Sequence, residues 1–429
     1  MSGFCRALVL ALVLAVGACG THSYQPGGPG AMAFLDRASE SSQGDITLRA
    51  ALPTASETEA LTGLGLYGQG IQPLWLEVTN ASDEGVRVAL WSVDREYFSP
   101  AEVAYMNRSG FSKTGYGELE RWFLESALPR RIPPGETRSG FIYTNLTPGT
   151  KGFNLDLFSA SSAYNFTMFV DLPGFTPDYR LVQFAQLYPE TEIVELTEAD
   201  LGHFLTGELP CCATGPNFTG EGRPLNLVLV GSPRALRRSL LRGRWRETSA
   251  DEKQQLVEEL HYFDGRVADG RFYLAREDSA TQLVLNIWLS RWRVEGEPVW
   301  VAQAYFRDVD SALVAALRRS GAVGQSELLT RFIGEAISAD LDSAQIFALQ
   351  NFWYNQSVVK GGMALGLPAR DAENPGTTFD GVGYVTRGAR GVLFLSDVPA
   401  AFGDARLLSF DTPSGDGGRA PELKLDARP

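Results

Sequence analysis

The sequence is poor in the residue that acid–base catalysts use most: its 429 residues contain three histidines, His22, His203 and His261. None of the three has a visible partner in its own neighbourhood, so each reads first as a satisfied core or surface group. No G-x-S-x-G elbow, Walker A loop or H-E-x-x-H helix occurs, which leaves serine-hydrolase, P-loop and zinc-protease chemistry without a foothold. An excess of basic residues is also lacking. The formal net charge is −13, spread over both halves, and this argues against a nucleic-acid partner. Beyond the N-terminus, no apolar run is long enough for a membrane-spanning helix. What the chain does hold is material for a core: 44% of residues are apolar and 11% aromatic, enough for two or three domains with real interiors.

The N-terminus has Arg6, an apolar run from Ala7 to Ala18, and the small-residue sequence Val16-Gly17-Ala18-Cys19. The run is too short and too early for a membrane span, and residues 1–18 read as a signal peptide. Val-Gly-Ala-Cys resembles the lipobox of bacterial lipoproteins. That resemblance implies diacylation of the Cys19 sulfur and acylation of its freed amine; two or three chains anchor stably where one is marginal. Gly20 after the cysteine resembles the sorting pattern for the outer membrane, so the protein is expected on the cell envelope, lipid-anchored and facing the periplasm. The alternative is an ordinary secretory signal with an incidental cysteine. In that oxidising compartment Cys211 and Cys212 are the remaining thiols. They either close a vicinal disulfide or stay as two small buried side chains, and the spacing of a thioredoxin-type pair is absent.

From 19 to 44 the chain is rich in Gly, Pro, Ser and Ala and predicts a flexible tether. A β-rich domain is expected over 45–175. Leu74, Leu76 and Val78 alternate with Trp75, Glu77 and Thr79, Val86, Val88 and Leu90 repeat the period, and strands follow at 140–144, 153–158 and 164–171. Short strands at this spacing point to an immunoglobulin-like β-sandwich, with a helical insertion at 99–128 packed over one end. After a link, a second, mixed α/β domain is expected over 190–410. Its clearest passage is Pro224 to Trp245: the apolar strand Asn226 to Val230, Ser232 as helix cap, Pro233 at the first helical position, and a helix burying Leu236, Leu240 and Leu241. A helix opening at Ser249, strands at 271–276, 282–293 and 298–308, helices at 311–319, 326–333 and 343–354, a final hairpin in GYVTRGARGVLFL, and a disordered tail at 411–429 complete an α+β, two-domain chain. In the 343–354 helix, Ile346, Leu349, Phe352 and Trp353 form the expected apolar stripe.

The order PCC, PLNLVLVG, an arginine-bearing helix, YFDGRVAD, a Trp-centred strand, EPVWVA, RD and ISADLD is similar to the LssY C-terminal domain family over roughly 190–400. The family occurs in bacterial envelope lipoproteins and fused to membrane phosphatases, and its own activity is not established. Gly265-Arg266, Asp269, Trp288, Trp300, Arg307-Asp308 and Asp340-x-Asp342 match its pattern. Val284, Asn286 and Glu335 stand where the pattern leads one to expect His or Arg, so any activity those residues carry in the family is lost here.

Four arginines, Arg234, Arg237, Arg238 and Arg242, line one face of the helix after Ser232, with Arg244 and Arg246 just beyond. They suit phosphate or carboxylate groups, anionic lipid headgroups included, by forked hydrogen bonds. A solvated face paired to local Glu and Asp is the competing account. Gly63-x-Gly65-x-x-Gly68 satisfies a dinucleotide fingerprint but enters a strand instead of leaving one. Asp308/Asp310 and Asp340/Asp342 have the spacing to share a hard cation, although helix capping by Asp310 and Asp342 accounts for them as well, and Arg266 and Arg307 have Asp269 and Asp308 as ion-pair partners. The expectation is therefore an envelope lipoprotein acting as a binding or scaffold module for envelope proteins or anionic lipid, without cofactor, metal or catalytic residues. The alternative is a hydrolase of phosphorylated or lipid substrates.

Overall fold

The computed structural model describes residues 22–27, 29–147, 149–215, 219–251, 261–275, 281–308 and 337–410. The expected signal peptide, Cys19, the helices expected beyond Ser249 and at 311–319 and 326–333, Glu335 and the 411–429 tail lie outside these residues. The fold is mixed α+β and mostly sheet, and the chain divides into two compact units between Phe175 and Thr176.

In the first unit, strands β1 (Ser39–Gln43), β2 (Ile46–Ala51), β3 (Ile71–Asn80) and β6 (Thr137–Asn145) form one antiparallel sheet. A second sheet contains β4 (Val86–Ala89), β5 (Arg131–Ile132), β7 (Lys151–Phe158) and β8 (Ala163–Val170), in the order β5-β4-β7-β8. Leu48, Leu74, Leu76 and Val78 from the first sheet share one core with Val88, Leu155, Leu157 and Met168 from the second. The other side of β3 is buried too. Trp75, Phe141 and Tyr143 are covered by α2 (Pro100–Met106) and α3 (Lys113–Ser126), together with α1 (Ala55–Thr62) and the turn of Pro29–Arg37. The helical insertion therefore packs on a sheet face and not over one end.

The tether expectation for 19–44 needs correction from Tyr24 onward. Tyr24 and Phe34 are buried in this outer core, and Ser39–Gln43 is a paired strand. Composition misled because a few large aromatics among small residues are enough to anchor a segment when a hydrophobic face lies within reach. The Gly63 fingerprint ends α1 at a left-handed glycine, Gly63 (φ 69°), and leads into β3, which is not the geometry of a nucleotide loop.

The second unit begins at Thr176, earlier than the expected 190. Asp178 is fully buried, and its carboxylate accepts the Arg271 N–H at 3.0 Å, while Tyr179 stacks on Phe272. A nine-stranded sheet runs β13 (Arg246–Glu247), β16 (Gly270–Ala275), β17 (Thr281–Val294), β18 (Glu297–Asp308), β12 (Leu227–Val230), β22 (Ala389–Leu395), β19 (Val358–Leu365) and β23 (Arg406–Leu408), with β9 (Val194–Leu196) parallel to β17. A smaller sheet orders β11 (Glu221–Pro224), β10 (Cys212–Thr214), β14 (Tyr262–Phe263) and β15 (Arg266–Val267), and β20 (Gly376–Thr377) pairs with β21 (Gly383–Tyr384). β12 is central, antiparallel to β18 and parallel to β22, and apolar on both sides because both are covered. Leu227 and Leu229 face the core under α4 (Pro233–Arg242) and α5 (Leu341–Tyr354), while Val228 and Val230 face the opposite core with Trp288 and Phe394.

Ser232 caps α4 by accepting the Ala235 N–H at 3.1 Å, worth about 1 kcal/mol, with Pro233 in the first turn. One expectation fails here and another holds in part. β22 joins the large sheet through β12 and β19 instead of folding back as a hairpin. Of the stripe expected on α5, Phe352 is buried and Leu349 and Trp353 pack partly buried on the same core, but Ile346 is exposed, and Leu341, Ala344, Gln345 and Ala348 complete the inner face.

Candidate functional site

Alternation along three strands gives the second face of the large sheet a polar region. The cross-strand register sets Arg271 opposite Asn286 and Asn286 opposite Gln303. Two residues further on, Tyr273 faces Val284 and Val284 faces Tyr305, and after two more Gln282 faces Arg307. Side chains two apart on a strand share a face, so these rows stack into one basin. Arg271, Asn286, Gln303 and Arg307 are all buried, and Tyr305 is fully so. From the smaller sheet comes Arg223, 1% exposed, on β11.

The guanidinium groups are strung together by tyrosine rings. Arg271 and Arg307 lie 5.3 and 5.1 Å from the Tyr273 ring centre, and Arg223 lies 4.5 Å from that of Tyr305. Arg271 Nη2 also donates to the Tyr305 hydroxyl at 2.9 Å. Such stacking suits the planar, weakly hydrated arginine cation better than the compact, strongly hydrated lysine ammonium. Gln303 Nε2 donates to the Arg223 carbonyl at 2.7 Å, fixing that backbone. Among the described residues, Nε and Nη1 of Arg223, Oδ1 of Asn286 and Oε1 of Gln303 are buried without a hydrogen-bond partner. Buried guanidinium N–H groups left without a partner are costly.

Asp380 lies beside this group, its Oδ2 3.5 Å from Arg223 Nη2 and 3.8 Å from His261 Nε2. Burial alone would raise its pKa, but His261, Arg223 and the Thr378 hydroxyl hold the carboxyl well below the ordinary carboxylate range. His261 is buried and accepts the Arg223 N–H at Nδ1 (3.1 Å), which places its proton on Nε2 toward Asp380. His261 thus has a partner the sequence did not reveal, 119 positions further along the chain. Next to it, Tyr384 donates to Glu221 at 3.0 Å, and Cys212 Sγ approaches the same carboxylate at 3.4 Å.

The sequence-expected residues fall elsewhere. Arg234 and Arg238 both reach the Asp397 carboxylate, at 3.1 and 3.0 Å. Arg242 donates to Ser357 Oγ and the Ser396 carbonyl, both at 2.9 Å, and burial followed by the neighbouring Arg238 pushes it down to about 10. Arg237 faces Glu247 at 3.7 Å. The arginine helix is therefore fastened to acidic side chains and carbonyls of its own unit, as in the competing account. Cys211 and Cys212 are joined in the structure, their sulfurs 2.18 Å apart. The Glu221 carboxylate lies within 4.8 Å of both sulfurs, which, joined to each other, offer no thiolate to a metal.

Asp340 caps α5 by accepting the Ser343 N–H, whereas Asp342 accepts from Thr386 Oγ1 and the Arg387 N–H. The two carboxylates thus turn to different partners, and the capping residue is Asp340, not Asp342. Arg266 pairs with Asp269 at 3.0 Å, and the Asp308 side chain is outside the described residues. His203 is exposed beside Glu208. Val284 and Asn286, where the LssY-like pattern leads one to expect basic residues, both lie in the basin. The signal that would have found it is Arg-x-Tyr on one strand with Gln-x-Tyr-x-Arg on another, at strand period. No protein-family model matches this chain, and no curated protein matches it.

Proposed function

We propose that the second unit is a binding module for an anionic group, phosphate or carboxylate, held in the Arg223–Arg271–Arg307 basin, and that the first unit is an immunoglobulin-like sandwich carrying it on a lipid-anchored envelope protein. One observation carries the reading: Arg223, 1% exposed, has Nε and Nη1 unpartnered among the described residues. Each of these N–H groups can donate a hydrogen bond to an anion, while Nη2, which both forked edges of the guanidinium share, faces Asp380. Membrane attachment at Cys19 rests on the lipobox resemblance, and no helix among the described residues is long and apolar enough to cross a bilayer.

The hydrolase alternative needs a base with a lone pair turned to the substrate. His261 spends Nδ1 on a backbone N–H and directs Nε2 at Asp380, so it suits positioning better than proton transfer. Inorganic phosphate is the direct probe. Saturating phosphate raises the thermal midpoint of the wild type, by about 2.7 kcal/mol of stabilisation at a hundredfold excess over Kd, and leaves Arg223→Met unshifted. Asn286→Leu, which keeps all three arginines, weakens the response without abolishing it. An equal midpoint shift in the wild type and Arg223→Met, or no shift in either, removes this site. Release of phosphate from a phosphoester, lost in Asp380→Ala, would restore the hydrolase.

A further inference from the structure

We infer that a second, separate cleft in the same unit binds a carbohydrate. It is a half-open cleft of about 410 Å³, within the range of small-ligand sites and roughly the space of two pyranose rings. Its apolar walls are flat: the Trp292 indole, the Tyr262 ring, Pro210, and Cys212 of the vicinal disulfide. Its polar groups are Glu208, Asp264 and Arg291. Trp292, Tyr262, Cys212 and Arg291 are half-buried and Glu208, Pro210 and Asp264 exposed, so the lining is within reach of solvent.

Each wall is held from behind. Trp292 pairs with Val194 across β17 and β9, and its ring packs on Phe204 with centroids 5.0 Å apart. Thr214 pairs with Tyr262, joining β10 to β14, and donates to the Tyr262 carbonyl at 3.3 Å. Glu208 ends a five-residue π-helical turn, Phe204–Glu208, a rare geometry that concentrates at functional sites. Asp264 is oriented twice, accepting from Arg291 Nη2 at 2.7 Å and from the Tyr188 hydroxyl at 2.9 Å. Arg291 Nε has no hydrogen-bond partner among the described residues.

The chemistry of the lining selects the ligand class by mismatch. An anion would meet the carboxylates of Glu208 and Asp264. A cation would find Asp264 already paired with Arg291 and only the exposed, water-screened Glu208 to attract it, and a wholly apolar molecule would strip water from the charged groups without replacing it. A sugar avoids each penalty. Its C–H face packs on the indole, phenol and disulfide surfaces, and its hydroxyls donate to the carboxylates and accept from the guanidinium.

The test titrates the full chain with maltose, cellobiose and chitobiose, followed by saturation-transfer NMR and calorimetry. At least one disaccharide should bind, Trp292→Ala should weaken it about tenfold or more, and Glu208→Gln should weaken it several-fold with the fold intact. Because Glu208 is exposed, its variant keeps the test decisive if Trp292→Ala fails to fold. Phosphate should leave the sugar affinity unchanged, which separates this cleft from the arginine basin. Failure of the folded wild type to bind any of the three at millimolar concentration overturns the inference, as does equal affinity in Glu208→Gln.

Discussion

Arg390 illustrates how one side chain can hold a charge in the interior with backbone carbonyls, and no carboxylate among the described residues, as its hydrogen-bond acceptors. It is completely buried, and its guanidinium donates to the carbonyls of Leu225, Leu205, Leu209, Pro210 and Cys211. Burial pushes its pKa down to about 10, so the group stays charged at neutral pH and every contact is charge-assisted. Arg390→Met keeps the bulk of the stem and leaves those carbonyls unsatisfied. The expected loss is about 3 kcal/mol or more in urea unfolding, together with faster amide exchange over 205–212. A loss under about 0.5 kcal/mol would mean the carbonyls find other donors. This role was invisible in the sequence because the acceptors lie 165 to 185 positions away. The basin arginines were hidden for a related reason: Arg223, Arg271 and Arg307 sit on three strands, and no local window contains two of them. Arg266 and Asp269 were legible because they are three residues apart on one turn.

Among the elements, those whose whole environment is written in their own residues were read correctly. β12 is apolar at every position, so burial on both faces follows without knowledge of its neighbours. α4 announces its start with Ser232-Pro233. α5 was read with its Leu349, Phe352 and Trp353 rightly placed but with Ile346 inside and Gln345 overlooked, because the Gln345 side-chain amide donates to the Asn226 and Ala389 carbonyls. A polar residue recruited by backbone at a strand end does not register as hydrophobic periodicity. β19 and β23 were missed altogether, the first because it is broken by Gly361-Gly362.

β23 depends on an ionic clasp. Glu198 accepts from Arg406 on β23 and from Lys360 on β19, and these contacts, Arg406 first, lower its pKa from an ordinary 4.5 to about 2. A carboxyl whose folded pKa is depressed contributes stability fully above its unfolded value and loses it as pH falls through the folded one. Amide protection of β23 should therefore be complete above about pH 4.5 and decline from there toward pH 2. Glu198→Gln should remove that dependence and show the weaker protection at all pH values. A protection profile that is flat with pH in the wild type would exclude the clasp.

At the scale of the whole molecule, two units each carry their own core, and the N-terminal residues from Tyr24 on belong to the first of them. If Cys19 carries the acyl chains proposed for it, few residues separate the anchor from Tyr24 in the first unit. Cys19→Ser should move the protein from the membrane fraction to the soluble envelope fraction while its thermal midpoint stays the same. Retention in the membrane fraction would point to an anchor other than the acyl chains.

The large sheet also bears on how the protein behaves in a crowd. Its outermost strands, β13 and β23, are two and three residues long. Short borders give a neighbouring chain little backbone to copy, which protects a nine-stranded sheet from joining edge to edge with another. Behind β23 lies the eight-residue β19, so the Glu198 clasp that keeps the border in place also stands between this fold and self-association in acid.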